Sequence, residues 1–399
     1  MSASRPLAGV TVVDLSRHLP GPLAAKLLAD LGARVVKVEE PRAGDPVRLA
    51  PPLVRGRSAL AAALLSGVES VALDLENEAA REVLAALLER ADALLETFRP
   101  GTLARFGFPP EELARRFPRL VVCSLSGYGE DGPQAARAGH DLTYQALAGT
   151  LAPTARMPAL PLADLVGAWS SALAVVAALR RRDATGRGGR IDASLYDAAL
   201  HANLVDWAED AAGERGVGRP LPLSGALPCY NVYMTADRGY VALACLEPRF
   251  WQRFCAAVGR DDLVRRHLDT RPEARRAVQA VVGARTRDAW AALAREHDLP
   301  IEPVLSAAEA RAHPQARHRA VVGAGGDGLA RVAFPARFDG ERPAAADRLP
   351  RLGEDTDAVL AELGRAMTGR EKRSGGVGPR QGVQQAVARW MTRRRAPKV

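Results

Sequence analysis

The stretch 138–149, AGHDLTYQALAG, sets a histidine beside an aspartate after a glycine, then runs into small and apolar residues. An imidazole gives and takes a proton near neutral pH without large tuning. His140 is therefore either a packed histidine with a satisfied hydrogen bond or a proton-transfer group. Asp164 stands at the head of a second apolar run, LPLADLVGAWSSALAVVAAL. Aspartate is a favoured helix N-cap, which is one account of it. The same place also holds a carboxylate ionised and offers free N–H groups to a developing oxyanion, which is another. Glu247, in VALACLEPRFW, breaks an apolar strand just before Pro248, where it ends the strand at the surface or supplies a third ionisable group.

Alternating elements must position these residues. GVTVVDLS reads as a strand and GPLAAKLLADLGA as a helix closed by Gly32; RVVKVEEP is a strand ended by Pro41, and SVALDL is strand-like. NEAAREVLAALLERA is an amphipathic helix capped by Asn77, DALLETF a strand, PPEELARRFPRL a short helix and VVCSLSGYG another strand. Strands alternating with helices, as near-continuous Val/Leu/Ala runs, predict an α/β fold with a parallel sheet. The run from Leu165 to Leu179 is shorter than the ~20 residues of a membrane span and reads as a buried helix. RIDASLYDAALHANLV gives a strand and then a helix. From Cys229 the pattern changes to a hairpin, YNVYMTADRGYVALAC, turning at Ala236–Gly239, with helices to about Ala310.

The predicted layout is a Rossmann-like large α/β domain over 1–210, a Gly/Pro-rich linker over 211–228 and a small α+β domain over 229–318. A return to the large domain follows over 319–365, then a basic tail over 366–399 expected to be disordered. Gly323, Gly325 and Gly328 fit GxGxxG, but strand-like LARVAFPARF follows where a dinucleotide site needs a helix; a hairpin turn is the reading. There is no P-loop and no HExxH, so neither NAD nor a metal is called.

The net charge of +9 suggests nucleic acid until it is located. Residues 368–399 hold nine Lys/Arg and one acid, +8 in all, leaving +1 for the other 367 residues. No nucleic-acid partner is expected beyond weak contact by that tail. The four cysteines, Cys123, Cys229, Cys245 and Cys255, form no CxxC and read as reduced core residues of a cytoplasmic protein. The N-terminus shows no charged-then-apolar signal pattern, and no membrane association is expected.

From Leu7 to about Leu363 the chain resembles the family III CoA-transferase and acyl-CoA racemase superfamily (the CaiB/BaiF group), and within it the α-methylacyl-CoA racemases. The carriers include PLAGVTVVDLS, LPGPLAAKLLADLGARVVKVE, ADALLETFRPGTLARFGF, LSGYGEDGP, AGHDLTYQALAG, PLADLVGA, TGRGGRIDASLYDA and LGEDTDAVLAELG. The resemblance implies an acyl-CoA substrate with no cofactor beyond its CoA moiety, and an interlocked homodimer. It implies that His140 and Asp164 are the two acid/base groups, with Glu247 pairing with the histidine from the partner's small domain. It further implies coenzyme contacts at Leu19, Pro20, Leu73, Asp74, Leu75, Thr97, Phe98 and Arg105. Arg99 and Arg105 are phosphate partners by the geometry of their guanidinium groups. Glu40 stands where a phosphate-binding arginine is usual, and Arg42 is the substitute. The reaction read is inversion of the α-carbon of a 2-methylacyl-CoA by two-base proton transfer through an enolate, its oxygen held by N–H groups at the start of the Asp164 helix. The alternative is a CoA-transferase working through an aspartyl thioester on Asp164. The GHD histidine, and the lack of a glycine run between 205 and 235, favour the isomerase; the acyl group is left open.

Overall fold

The computed structural model describes residues 5–211, 213, 217, 218 and 220–364. The chain forms two compact units. Of the described residues, one unit takes those within 5–148, 160–202 and 318–364, the other those within 149–159 and 203–317. This division differs from the sequence layout. Residues 203–210 and the expected linker over 211–228 group with the smaller unit, as does the Pro-containing connection after Ala148, because their contacts lie there. The basic tail over 366–399 falls outside the described residues.

Six parallel strands carry the larger unit: β1 (Thr11–Asp14), β2 (Arg34–Glu39), β3 (Glu69–Ala72), β4 (Ala93–Glu96), β5 (Val121–Ser126) and β6 (Gly189–Ser194). Their order is β3-β2-β1-β4-β5-β6, and every pairing is parallel. Successive side chains of a strand point to opposite faces. Val12, Val35, Leu95 and Val121 therefore join one apolar cluster, while their neighbours Val13, Val36, Leu94 and Val122 join the other. Both clusters are capped by helices, which is why the inner strands are mainly apolar rather than alternating, whereas the edge strand β6, GRIDAS, alternates in exposure. α1 (Pro20–Asp30) covers the first face and α2 (Glu78–Arg90) the second. α1 opens on Pro20, whose missing N–H costs nothing there. α2 opens on Asn77, whose Oδ1 accepts the Ala79 N–H at 2.9 Å.

α3 (Asp141–Leu147), α4 (Leu162–Thr185) and α5 (Leu195–Ala202) complete the unit around the site. α4 buries Gly167, Ala168, Ala172, Val175 and Leu179. Its other side is open, with Leu173 70% and Trp169 41% exposed, so the expected buried helix is buried on one face only. At 24 residues it is also longer than its apolar run suggested, and long and apolar enough to cross a membrane by length and composition. In this fold it packs on the sheet.

The smaller unit holds an antiparallel sheet, β7 (Tyr230–Met234), β8 (Tyr240–Ala244) and β9 (Ile301–Pro303), in the order β9-β8-β7. Trp251, Phe254 and Trp290 fill its core, and each indole N–H reaches a carbonyl: Trp251 to Leu263 at 3.0 Å, Trp290 to Val282 at 2.9 Å. Cys229, Cys245 and Cys255 lie there, Cys123 lies in β5, and all four are free and buried. In the returning segment the three glycines do form a hairpin, β10 (Val322–Ala324) with β11 (Ala330–Val332), so a strand, not a helix, directly follows them.

Candidate active site

The carboxyl ends of β1 and β4 adjoin where the strand order reverses, the place at which open parallel sheets leave a crevice for ligands. The predicted coenzyme positions gather along this edge. Leu19 and Pro20 lead from β1 into α1, Arg42 follows β2, Leu73, Asp74 and Leu75 follow β3, and Thr97, Phe98 and Arg99 follow β4. The Arg17 N–H donates to Thr97 Oγ1 at 2.9 Å and ties the first loop to the last. α1 starts close against both loops. A Cβ on Gly21 would lie 2.2 Å from Ser16 Cβ and 2.7 Å from Thr97 Cγ2, so PGP needs its glycine. Leu73 and Leu75 point into the core, with the Leu73 N–H donating to Glu39 O at 2.9 Å and Leu75 O accepting from Arg81 at 3.1 Å; Arg42, Arg99 and Arg105 are exposed. Glu40 caps its own turn, accepting the N–H groups of Arg42 at 3.1 Å and Ala43 at 2.9 Å. A cavity of about 220 Å³ has Glu96, Arg99 and Arg190 on its wall, but none of His140, Asp141 or Asp164.

The first loop rests on a fully buried lysine. Lys37 Nζ lies 3.1 Å from Asp14 Oδ2, 3.1 Å from Asp45 Oδ2 and 2.8 Å from the Ser16 carbonyl. Asp45 Oδ1 accepts the His18 N–H at 3.0 Å, and His18 sits in the left-handed region at φ 71°. That backbone state is unusual for a residue with a Cβ and is held here by the aspartate. Burial works against the Lys37 charge, but the carboxylates of Asp14, Asp45 and Glu39 together outweigh it and raise its pKa. His18 lies near enough to His140 for a charge there to disfavour its own. Burial lowers the His18 pKa against the opposing pull of Asp45, with the charges of His140, Arg17 and Lys37 adding to the lowering.

The structure brings the GHD and LAD blocks together. His140 is the exposed N-cap of α3, its N–H donating to Thr143 Oγ1 at 3.0 Å. The residue beside it makes the junction. Asp141 Oδ1 accepts the Asp164 N–H at 3.1 Å, and Asp141 Oδ2 takes an N–H of the buried Gln145 at 2.7 Å. Glycine precedes His140 because Tyr144 folds back over it: a Cβ on Gly139 would lie 2.5 Å from Tyr144 Cε1.

Asp164 is not the N-cap. Pro161 is, and Asp164 occupies the first turn of α4. Burial, and after it the charge of Asp141, pushes its carboxyl from 3.8 up to about 7, with no cation opposing the shift. Its first turn offers less to an oxyanion than expected. The Leu162 N–H donates to Leu160 O, that of Leu165 to Pro161 O and that of Asp164 to Asp141. The Ala163 N–H is the donor left without a partner among the described residues.

Glu247 belongs to the smaller unit, exposed at the N-cap of the helix Pro248–Ala257. Among the described residues no group of three His, Cys, Asp or Glu could hold a metal ion.

The sequence profile of CoA-transferase family III matches residues 7–356. The chain belongs to this family. It is 33% identical over 373 residues to the alpha-methylacyl-CoA racemase of Homo sapiens, covering 90% of this chain and 93% of that one. It is 30% identical over 382 residues to the acetyl-CoA:oxalate CoA-transferase of Acetobacter aceti, covering 90% and 96%. A CAIB/BAIF family protein from Brucella suis superposes with a TM-score of 0.80 at 28% identity, over 90% of this chain and all of that one. The family thus holds racemases and CoA-transferases at similar distance from this chain, and an acyl-CoA substrate is consistent with both.

Sequence reasoning missed Lys37, Asp45, Asp141 and His18 as parts of the site. Two had a signal: Lys37 is a charge inside the apolar strand RVVKVE, and Asp141 is the neighbour of His140.

Proposed function

We propose that this chain is an acyl-CoA racemase that inverts the α-carbon of a 2-methylacyl-CoA, with Asp164 and His140 as its acid/base pair. One group takes the α-proton; the C–H electron pair moves into the thioester to give an enolate. The other group then delivers a proton to the opposite face, and the two exchange roles when the direction reverses. The observation that carries the reading is the placing of the half-buried Asp164 against the Asp141 carboxylate, which accepts its N–H at 3.1 Å, so that burial and that charge push its carboxyl up to about 7. A general acid/base works best with a pKa near the working pH, whereas a nucleophilic carboxylate gains from staying ionised. The Ala163 N–H is the remaining first-turn donor for the enolate oxygen. The coenzyme lies along the β1–β4 edge, its phosphates near Arg42, Arg99 and Arg105, and needs no further cofactor. Glu247 pairs with His140 from the partner subunit, so the working unit is a homodimer; the exposed apolar Leu173 and Trp169 support an assembly in which α4 is covered. Four buried free thiols fit a reducing, cytoplasmic setting.

The second reading, CoA transfer through an aspartyl thioester, draws on the oxalate CoA-transferase likeness. The test is a 2-methylacyl-CoA in D₂O with no acceptor acid. Deuterium entering the α-position, and stopping in both His140→Ala and Asp164→Ala, establishes the racemase. No exchange, with CoA passing to an added carboxylic acid through a trapped Asp164 adduct, replaces it with the transferase.

A further inference from the structure

Residues 319–347 build a second cavity that the proton-transfer site does not use. The hairpin of β10 and β11 gives one wall, and Arg319, Arg331, Arg337 and Arg342 line the rest of a space of about 540 Å³. Arg331 is accounted for. It is buried and donates to the Asp347 carbonyl at 2.7 Å and to Asp327 Oδ2 at 3.0 Å. The other three arginines form no ion pair among the described residues.

Main-chain carbonyls hold two of them, Arg337 and Arg342, in place. Arg337 Nη2 donates to His318 O at 3.2 Å, Arg342 Nε to Arg319 O at 3.2 Å, and Arg342 Nη1 to Phe334 O. Carbonyls orient a guanidinium but do not neutralise it. Arg342 Nη2 is buried with no hydrogen-bond partner among the described residues. Burial, and then the charges of Arg319 and Arg337, lower the Arg342 pKa, as expected for like charges crowded without a counter-ion. The one carboxylate on the wall, Asp347, is taken by the Gly326 N–H at 2.9 Å and faces Arg331 at 3.7 Å.

Three guanidinium groups without a paired carboxylate, two of them fixed by carbonyls, around a ligand-sized space call for an anion of more than one negative charge. Planar forks suit phosphate oxygens two at a time. The wall is otherwise alanine, glycine, valine and proline, with no aromatic ring on which a base would stack. We propose that this cavity binds a small polyphosphate anion, either inorganic pyrophosphate or the diphosphate of a free nucleotide, recognised through its phosphates. The inference does not rest on the racemase reading.

The experiment titrates the full-length protein with pyrophosphate by calorimetry, comparing wild type with Arg319→Gln/Arg337→Gln. The basic tail is the same in both proteins, so whatever it binds cancels. Saturable binding in the wild type, weakening as salt rises, with at least a tenfold loss of affinity in the double variant and an unchanged melting temperature, upholds the site. Equal binding in the two proteins, or none in the wild type, overturns it. If the glutamine pair lowers the melting temperature, Arg319→Lys/Arg337→Lys keeps the charge and removes the forks. A several-fold loss in that pair upholds the site, and wild-type affinity overturns it. A parallel titration of both proteins with ADP assigns the source by the part of the binding that Arg319→Gln/Arg337→Gln removes: where that part is tighter than for pyrophosphate the ligand is a nucleotide, and where it is equal or weaker, the inorganic anion, and both uphold the site.

Discussion

Around Lys37 the larger unit buries a cation among carboxylates; around Asp164 it half-buries a carboxylate that has no ion pair among the described residues. In the first region each charge has an answer. Lys37 meets Asp14 and Asp45, and Glu39 meets Arg48 at 2.7 and 2.6 Å and Ser70 Oγ at 2.6 Å. In the second, Asp164 has Asp141 for a neighbour, whose charge makes ionisation harder. A paired buried charge fixes geometry, because moving it exposes a partner. An unpaired one has its proton affinity moved instead, which is what proton transfer needs. The paired region also serves the other: through Ser16 and His18 it holds the loop that puts His18 near His140.

The largest expected effect lies on the unpaired side. Asp164→Asn keeps the shape and removes the titrating proton, so α-deuterium exchange should fall by about 10²–10⁴-fold, roughly 3–5 kcal/mol of barrier. His140→Ala should fall by a similar factor. Exchange surviving in the asparagine variant would remove Asp164 from the acid/base pair and leave the comparison without its functional half.

Next comes the paired side. Lys37→Met leaves Asp14 and Asp45 buried and facing each other, a loss expected at about 3–5 kcal/mol in urea denaturation. Lys37→Met combined with Asp14→Asn and Asp45→Asn should recover part of that loss, since no uncompensated charge remains. A single variant as stable as wild type would mean that the cluster is not structural.

The two regions also differ in how far the sequence revealed them. The strands and helices were legible because each is written locally: apolar runs for β1 to β5, Asn77 before α2, Pro20 in α1. His140 and Asp164 were legible as motifs. The Lys37 cluster was not, since it joins residues 14, 37, 39, 45, 48 and 70, whose spacing follows no period. Locally Asp164 read either as a cap or as a functional carboxylate, because capping is the local habit of aspartate. The donor's actual partner, Asp141, stands 23 positions away in sequence and meets it only through the packing of α3 on α4.

A smaller effect concerns the sign of a pH dependence. The Asp164 carboxyl ionises near 3.8 in an unfolded chain and at about 7 in the folded one. The folded state therefore holds the proton more tightly. The stability this gives is fully present below about pH 4 and is lost as pH rises towards 7. Asp164→Asn has no such proton, so its stability relative to wild type should climb over that window. The ceiling is about 1.4 kcal/mol per pH unit, reduced by partial solvent access. Urea midpoints for both proteins at pH 4.5 and 7.5 check it; a constant difference would mean that burial does not raise the carboxyl.

The smallest effect is the control on pairing itself. Arg115 meets Glu112 with two bonds, at 2.9 and 2.8 Å, a fork as well formed as the one between Arg48 and Glu39. Contact geometry alone would rank the two pairs together. Solvent separates them: Arg115 is 72% exposed, while the Glu39 side chain is 1% exposed. Water solvates either Arg115 or Glu112 alone nearly as well as they solvate each other, so breaking the surface pair uncovers nothing. Glu112→Gln should leave the urea midpoint within error of wild type at low and high salt, whereas Glu39→Gln should lower it at both. A clear fall in the Glu112 variant would show that the pairing, rather than the burial, carries the stability, and the contrast between the Lys37 and Asp164 regions would then need a different physical basis.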